Sequence, residues 1–251
     1  MNREFWKDVE TVIRKADIIL MVIDSRLPKE SINEEIKWRV ERQGKKLVYV
    51  FNKIDLVGRK DLDELRKQYD DAFFVSGARN IGISGLKKGI FVITRRMGIE
   101  LPHVGIVGYP NVGKSAIINA LSHRAKAKVS SVAGTTRGVQ WVKAGTLRII
   151  DSPGVIPLGD KEQEIGVLGA KNPEMLRNPD SAALKVIQMF LEKDKRKLEN
   201  YFGIKINDKS DEEILEMIGK KRGFLIKGGN VDIDRTVIQI LRDWQKGKLR
   251  L

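Results

Sequence analysis

Short apolar runs alternate with amphipathic segments along the first part of the chain. The runs are rich in β-branched and aromatic residues and occupy 16–24, 45–52, 72–76 and 103–108. The segments between them carry apolar residues at three-and-four spacing and occupy 31–44, 61–69 and 82–98. Alternation of this kind is typical of parallel strands joined by helical crossovers.

Two further β-rich runs, GVQWVKA and TLRIIDS, follow at 138–144 and 146–152 and are separated by Gly145. A glycine between two short strands favours an antiparallel hairpin, which we place at the edge of the sheet. The sequence therefore predicts an α/β fold of three layers around a six-stranded, mostly parallel sheet.

The pattern changes after this hairpin. From 155 to 179 the chain contains glycine and proline without periodicity, which predicts a mobile loop region. From 181 to 251 the pattern is helical, with 16 Lys or Arg against 11 Asp or Glu. We therefore predict two domains, one over 1–178 and a small, basic, all-helical one over 179–251.

Composition narrows the class of protein. The 251 residues carry a formal net charge of +14, which attracts polyanions such as RNA but is equally compatible with mere solubility. The chain has no cysteine, which excludes disulfides and thiolate metal sites. The start of the chain lacks the apolar core of a secretory signal, and no apolar stretch approaches the roughly 18 residues of a membrane span. We expect a cytoplasmic monomer without membrane contact.

Residues 108–115 read GYPNVGKS, which fits the pattern GxxxxGKS and lies between a predicted strand and a predicted helix. The glycines let the backbone curl so that its N–H groups point at phosphate oxygens. Lys114 is placed to reach the β and γ phosphates, and the Ser115 hydroxyl to bind the Mg²⁺ that accompanies a nucleoside triphosphate. The predicted nucleotide contacts in this loop are Asn111, Val112, Gly113, Lys114, Ser115 and Ala116.

A second motif, NKID at 52–55, ends another predicted strand. The Asp55 carboxylate can accept from both N1–H and the 2-amino group of guanine, whereas adenine would leave it facing a lone pair. Lys53 can lay its alkyl stem over the base, and Asn52 can brace the phosphate loop. One backbone N–H of the weaker motif Ser76, Gly77 and Ala78 can donate to guanine O6. These residues predict selectivity for GTP.

The sequence DSPG at 151–154 closes the last predicted strand. Asp151 can hold a magnesium-bound water, and the N–H of Gly154 can sense the γ phosphate. Upstream, Thr136 is the expected Mg²⁺ ligand, with Thr135 as the less favoured alternative. Val155 stands where many GTPases carry the glutamine that aligns the attacking water, so we expect slow hydrolysis without a partner.

Catalysis therefore has to come from other groups. Lys114, Thr136 and Gly154 contact the reacting phosphate in this interpretation. Asn111 can hold a potassium ion against the phosphates, and that ion would supply the charge that an arginine finger supplies elsewhere. The predicted cofactors are GTP or GDP, Mg²⁺ and, as a hypothesis, K⁺.

The base-reading motifs precede the phosphate loop, which reverses their ordinary order. This resembles the circularly permuted P-loop GTPases of the YlqF/RbgA type, whose DARxP strand end is similar to DSRLP at 24–28 and whose Thr-Lys-x-Gln-Gln-Trp stretch is similar to TRGVQW at 136–141. The segments KKRGFLIKGGNVD and LRDWQKGKL also resemble that family. The histidine of the family's N-terminal Pro-Gly-His-Met segment has no counterpart here, and His103 and His123 are interpreted as structural or solvated.

The resemblance implies that the protein is a GTP-hydrolysing switch in assembly of the large ribosomal subunit, with rRNA contacted by the basic helical domain. One alternative is a GTP-dependent RNA-binding module or chaperone in which hydrolysis is incidental. A GTPase that acts on another RNA, such as tRNA, or on a signalling partner is disfavoured because no modification domain is attached.

Overall fold

The computed structural model describes residues 3–122, 138–157 and 159–251. The chain divides into two compact units, an N-terminal unit over Met1–Gly159 and a C-terminal unit over Asp160–Leu251. None of the helices in the described ranges is both long enough and apolar enough to cross a membrane.

The N-terminal unit is built on a six-stranded sheet in the order β3-β2-β1-β4-β6-β5. All neighbouring strands are parallel except the terminal pair β5 and β6, which forms the predicted antiparallel hairpin with β5 at the edge. The strands are β1 (Ile18–Asp24), β2 (Lys46–Asn52), β3 (Phe73–Phe74), β4 (His103–Val107), β5 (Gln140–Ala144) and β6 (Leu147–Asp151). The prediction of a six-stranded, mostly parallel sheet is confirmed.

Helices cover both faces of this sheet. The helices of the unit are α1 (Arg3–Lys15), α2 (Pro28–Ser31), α3 (Glu34–Arg42), α4 (Arg59–Gln68), α5 (Ile83–Arg96) and α6 (Lys114–Ser122). Helices α1 and α3 bury Val12 and Ile36 in one cluster with Ile19, Met21 and Ile23 of β1. Because side chains alternate along a strand, Ile18, Leu20 and Val22 serve the opposite layer, and all of them are fully buried.

Helix α1 was not among the predicted helical segments, although its sequence has a clear helical pattern. Val9, Val12, Ile13 and Ala16 recur at helical spacing and are fully buried, which is the pattern of an amphipathic helix packed on a core. Helix α1 lies against β4, where a β-carbon on Gly105 would come within 2.9 Å of Val12 Cγ1 and 3.0 Å of Ala16 Cβ. Gly105 therefore allows the helix to approach the sheet closely.

The C-terminal unit consists of α7 (Glu162–Leu168), α8 (Pro179–Phe202), α9 (Asp211–Lys221) and α10 (Ile233–Gln245). Its largest fully buried side chain is Trp244. The indole N–H of Trp244 donates to the Val167 carbonyl oxygen at 2.7 Å, and its ring meets Phe190 edge to face at 6.1 Å between centroids. The unit thus has its own core, and α9 begins with a complete capping box between Ser210 and Glu213.

The predicted mobile loop over 155–179 was wrong, since this segment contains α7 and a short 3₁₀ turn over Pro173–Met175. Gly166 is a packing residue, because a β-carbon there would lie 2.7 Å from Ala182 Cβ. The boundary between the compact units follows Gly159, whereas the sequence prediction placed it after 178. Helix α7 and the rest of 160–178 therefore lie with the helical unit.

Candidate phosphate, magnesium and base site

The phosphate loop joins β4 to α6 at the carboxyl edge of the sheet. Three of its residues have positive φ, namely Gly108 at 140°, Asn111 at 60° and Gly113 at 98°. A β-carbon on Gly108 would lie 2.6 Å from the Val22 carbonyl oxygen of β1. Only glycine fits at this position, so the loop can curl tightly at the amino end of a helix, as an anion site requires.

Lys114 is the first residue of α6 and is buried. Its Nζ donates to the carbonyl oxygens of Gly108 at 3.1 Å and Tyr109 at 2.7 Å. Burial lowers the pKa of Lys114 to about 8, although the nearby Asp151 carboxylate acts in the opposite direction. The lysine therefore carries a poorly compensated positive charge inside the loop, which suits a phosphate.

Asp151 ends β6 beside this lysine. Its carboxyl group is buried, and neither oxygen accepts a hydrogen bond from the part of the chain that the structure describes. Burial raises the pKa of Asp151 to about 6, while the charge of Lys114 works against that rise. A buried carboxylate without a donor is a group that fits a hydrated cation, so these residues are consistent with Mg²⁺ and its water ligands.

The segment after Asp151 packs directly against the phosphate loop. A β-carbon on Gly154 would lie 2.5 Å from the backbone nitrogen of Pro110, and the Val155 N–H donates to the Gly108 carbonyl oxygen at 3.4 Å. Val155 itself is buried in the core cluster that contains Ile150. Its apolar side chain cannot hydrogen-bond a water.

Asn52 links the phosphate loop to the base-reading loops. Its Nδ2 donates to the Val112 carbonyl oxygen at 2.8 Å, and its Oδ1 accepts from the Gly77 N–H at 3.0 Å. A β-carbon on Gly113 would lie 2.2 Å from Asn52 Nδ2. The structure therefore brings together motifs that lie some 60 residues apart in sequence, and the brace predicted for Asn52 is present.

The three backbone N–H groups of the motif at 76–78 differ in whether the protein itself already uses them. The N–H of Ser76 donates to the Ile81 carbonyl oxygen, and that of Gly77 is engaged by Asn52. Ala78 is exposed, and among the described residues its N–H has no acceptor. The amide that is available for guanine O6 is thus that of Ala78.

Gly77 also lies very close to the backbone at the start of α6. A β-carbon on Gly77 would lie 2.8 Å from the Ile117 nitrogen and 2.9 Å from the Ala116 carbonyl carbon. Real β-carbons do not approach helix backbone this closely, so the loop packs against the start of α6 in a way that alanine would prevent.

Lys53 is held by a buried network that begins at Asp24, the last residue of β1. Lys53 has a left-handed backbone with φ of 64°, and its Nζ donates to Asp24 Oδ2 at 2.7 Å. Arg26 donates to the same carboxylate from Nη2 at 2.7 Å and from Nε at 3.0 Å. Sequence reasoning noted DSRLP only as a family resemblance and gave Asp24 and Arg26 no role.

The charge of Asp24 is stabilised by these two cations. Burial acts to raise the pKa of Asp24, but the charges and hydrogen bonds of Arg26 and Lys53 outweigh it, and the pKa lies well below its usual range. Burial lowers the pKa of Lys53. The network holds the Lys53 ammonium on Asp24. The carboxylate of Asp55 lies 4.0 Å from Arg79 Nε.

Some predicted residues cannot be placed. Thr136, the alternative Thr135 and His123 lie outside the described residues. His103 starts β4, and its Nδ1 lies 3.4 Å from Asp17 Oδ2 while its backbone N–H donates to the same oxygen at 2.7 Å. These contacts fit the structural role expected for His103.

Two family models match the chain, one on each side of the permutation. The model of the 50S ribosome-binding GTPases matches residues 103–226, which include the phosphate loop. The model of the elongation factor Tu GTP-binding domain matches residues 2–96, which include the base-reading motifs.

Nearly the whole chain is also similar to parts of longer GTP-binding proteins. It is 41% identical to an uncharacterized GTP-binding protein of Methanocaldococcus jannaschii over 97% of this chain and 65% of that protein. It is 32% identical to nucleolar GTP-binding protein 2 of Neurospora crassa over 99% of this chain and 41% of that protein. The protein of the same name from Saccharomyces cerevisiae is 31% identical, and the chain spans 52% of its length. The chain therefore spans less than two thirds of these relatives.

Solved structures agree with this relationship at the level of the fold. GNP-bound YlqF from T. maritima superimposes with a TM-score of 0.63 and 22% identity, over 99% of this chain and 96% of that one. The GDP-bound form gives a TM-score of 0.62 over 96% of this chain and 95% of that one. The chain therefore has the fold of the YlqF structures, and its GTPase-like motifs occur in a circularly permuted order along the sequence.

Proposed function

We propose that this protein binds GTP and GDP and hydrolyses GTP as a switch in assembly of the large ribosomal subunit. The observation that carries the proposal is the Asn52 side chain, which joins the phosphate loop at Val112 to the base-reading loop at Gly77. This amide joins the two loops that we propose as the phosphate cradle and the purine reader, and open α/β folds bind ligands at this edge of the sheet.

On the phosphate side, the backbone of Asn111, Val112, Gly113 and Ala116 and the ammonium of Lys114 would bind the phosphates. Ser115, Thr136 and, through water, Asp151 would hold Mg²⁺, which neutralises charge on the β and γ phosphates when bound. The buried carboxylate of Asp151, which accepts no hydrogen bond from the described residues, supports this assignment. The N–H of Gly154 would contact the γ phosphate.

On the base side, Asp55 would accept from guanine N1–H and the 2-amino group, and Ala78 would donate to O6. Ser76 and Gly77 would shape that loop, since both of their amides are engaged within the protein. The Lys53 stem would cover one face of the base while its ammonium stays on Asp24. Adenine would leave the Asp55 carboxylate without donors, which disfavours ATP.

Hydrolysis by the protein alone would be slow, because the buried Val155 cannot orient water. We propose that a potassium ion held by Asn111 adds positive charge at the phosphates. The test compares turnover in K⁺ and Na⁺ at equal ionic strength; equal rates in the two salts would remove potassium from the mechanism.

The ribosomal part of the proposal rests on the relatives and on charge. A relative of this chain is a nucleolar GTP-binding protein, and one matching family is described as ribosome-binding. The chain carries a net charge of +14, which favours rRNA as the contact. We assign that contact to the basic helices after 179 and propose that the protein acts as a monomer in the cytoplasm.

Single-turnover GTP hydrolysis with and without purified large subunits tests the switch. We expect stimulation by large subunits and co-sedimentation with them in the presence of a non-hydrolysable GTP analogue. Binding without stimulation would instead favour a GTP-dependent RNA-binding module or chaperone whose hydrolysis is incidental. Stimulation by another RNA, with no response to large subunits, would contradict the ribosomal assignment.

A further inference from the structure

Three side chains on one face of the β5–β6 hairpin are exposed. Trp141 and Lys143 are two residues apart on β5 and so share a face, and Lys143 is paired directly with Arg148 of β6. Val142 and Ala144 point the other way and are buried. Trp141 is 51% exposed, and Lys143 and Arg148 are exposed as well.

Helix α1 covers the neighbouring part of this face and ends beside the hairpin. Arg148 is paired with His103 of β4, and the next residue of β4 on that face is Gly105, which packs under Val12 of α1 and under Ala16, the residue that follows the helix. Lys15, the last residue of α1, places its Nζ 5.9 Å from the centroid of the Trp141 ring. His103 meets that ring edge to face at 5.6 Å between centroids.

The exposed face is basic, and the described residues place no compensating carboxylate on it. No ion pair is found in the described ranges for Lys15, Lys143 or Arg148. Asp151 is the sole carboxylate of the hairpin over 140–151 and is buried, and Asp17 is engaged by His103. A half-exposed indole surrounded by unpaired cations matches the chemistry of single-stranded nucleic acid, in which bases stack on aromatic rings and phosphates contact Lys or Arg.

We infer that this face, formed by Trp141, Lys143, Arg148, Lys15 and His103, binds single-stranded RNA by stacking one base on Trp141. The inference rests on the proposed rRNA contact and adds to it a second RNA surface, on the GTPase unit rather than on the helices after 179. The three unpaired cations contact the phosphates on either side of the stacked base.

The test measures the affinity of the full chain for a fluorescent oligoadenylate of about ten nucleotides by anisotropy. Trp141→Ala weakens binding by about 5- to 100-fold, and Trp141→Phe restores most of the affinity because a phenyl ring still stacks. Lys143→Gln lowers the slope of log Kd against log salt concentration by about 0.7, the share of one phosphate on a single strand.

Trp38→Ala is the matched control, since Trp38 is 53% exposed and also lies near an arginine, with Arg42 5.2 Å from its ring. This variant retains wild-type affinity. GDP affinity and thermal unfolding of each variant establish that the fold and the nucleotide site are intact.

Equal affinity of Trp141→Ala and wild type overturns the inference alone and leaves the helical RNA contact standing. Loss of binding to large subunits with full affinity for the oligoadenylate shows a protein docking on this face and also overturns it. Failure of the wild type to bind any single-stranded RNA overturns the inference, whereas the proposed switch is judged separately by hydrolysis on large subunits.

Discussion

The two sides of the candidate site differ in how far the protein satisfies their charges by itself. On the base side, the Asp24 carboxylate receives Lys53 and Arg26 at 2.7 Å each, and Asn52 uses both ends of its amide. On the phosphate side, and within the described part of the chain, Lys114 donates only to carbonyl oxygens of its own loop, and Asp151 has no donor.

The base side is therefore preorganised by contacts within the protein, whereas the charges on the phosphate side would be compensated by a bound ligand. A loop that is rigid before binding loses little entropy on binding, so its hydrogen bonds contribute mostly to selectivity. Buried charges without partners destabilise the free protein. A ligand that compensates them removes this penalty, and the energy recovered contributes to its affinity. We expect the phosphate side to dominate affinity and the base side to dominate discrimination.

The largest effect is expected from substitution of Lys114 on the phosphate side. Lys114→Ala would remove the proposed charge-assisted contacts to two phosphates, and we expect affinity for both GTP and GDP to fall by about 10²- to 10⁴-fold in calorimetry. Lys88→Ala, on the exposed face of α5, is the control and keeps full affinity. Tight binding by the Lys114 variant would show that the loop does not cradle phosphates.

Substitution of Asp55 on the base side is expected to alter the selectivity among purine nucleotides. Asp55→Asn replaces an acceptor by a donor at the 2-position of the purine, so GDP affinity falls by about 100-fold while xanthosine diphosphate gains affinity. Competition binding with GDP, XDP and ADP measures the change, and Glu64→Gln serves as the exposed control. An unchanged order of preference would mean that Asp55 does not read the base.

The sequence predicted most of the sheet and the motif loops that lie together at its edge, because glycine spacing and strand ends determine local geometry. Positions such as Gly108 and Lys114 belong to a continuous motif whose chemistry is local. The Asp24 network was missed because it joins the ends of two strands that lie side by side only in the fold. Helix α7 was missed because Gly166 is there for packing against Ala182, and a glycine count cannot separate packing from a turn.

The buried network on the base side has its own measurable stability. Asp24→Asn leaves Lys53 and Arg26 without a counter-charge, and we expect the free energy of unfolding at pH 7 to fall by about 3 kcal/mol in urea titrations. Since the pKa of Asp24 in the folded protein lies below its ordinary value of 3.8, its stabilisation is complete above that pH and is lost as the pH falls further.

The wild type and the Asp24 variant should therefore converge in stability in acid. Asp63→Asn, which alters a carboxylate that is 53% exposed, is the control and changes stability little at either pH. A constant difference between wild type and Asp24→Asn across the acid range would show that the carboxylate is not stabilised by its two cations.

The smallest expected effect tests how tightly the two sides are joined. In Gly77→Ala the new β-carbon would lie 2.8 Å from the Ile117 nitrogen, so the base loop must move away from α6 and weaken the Asn52 bridge. We expect a loss of about 1–3 kcal/mol in unfolding free energy and a fall in GDP affinity of about 10-fold.

Gly85→Ala is the matched control, since Gly85 lies inside α5 with nothing within 4 Å of a new β-carbon. Alanine there should stabilise the helix by up to about 1 kcal/mol. Equal gains from both substitutions would mean that the base loop can shift freely, and the contrast between a rigid reader and a ligand-completed phosphate side would then fail.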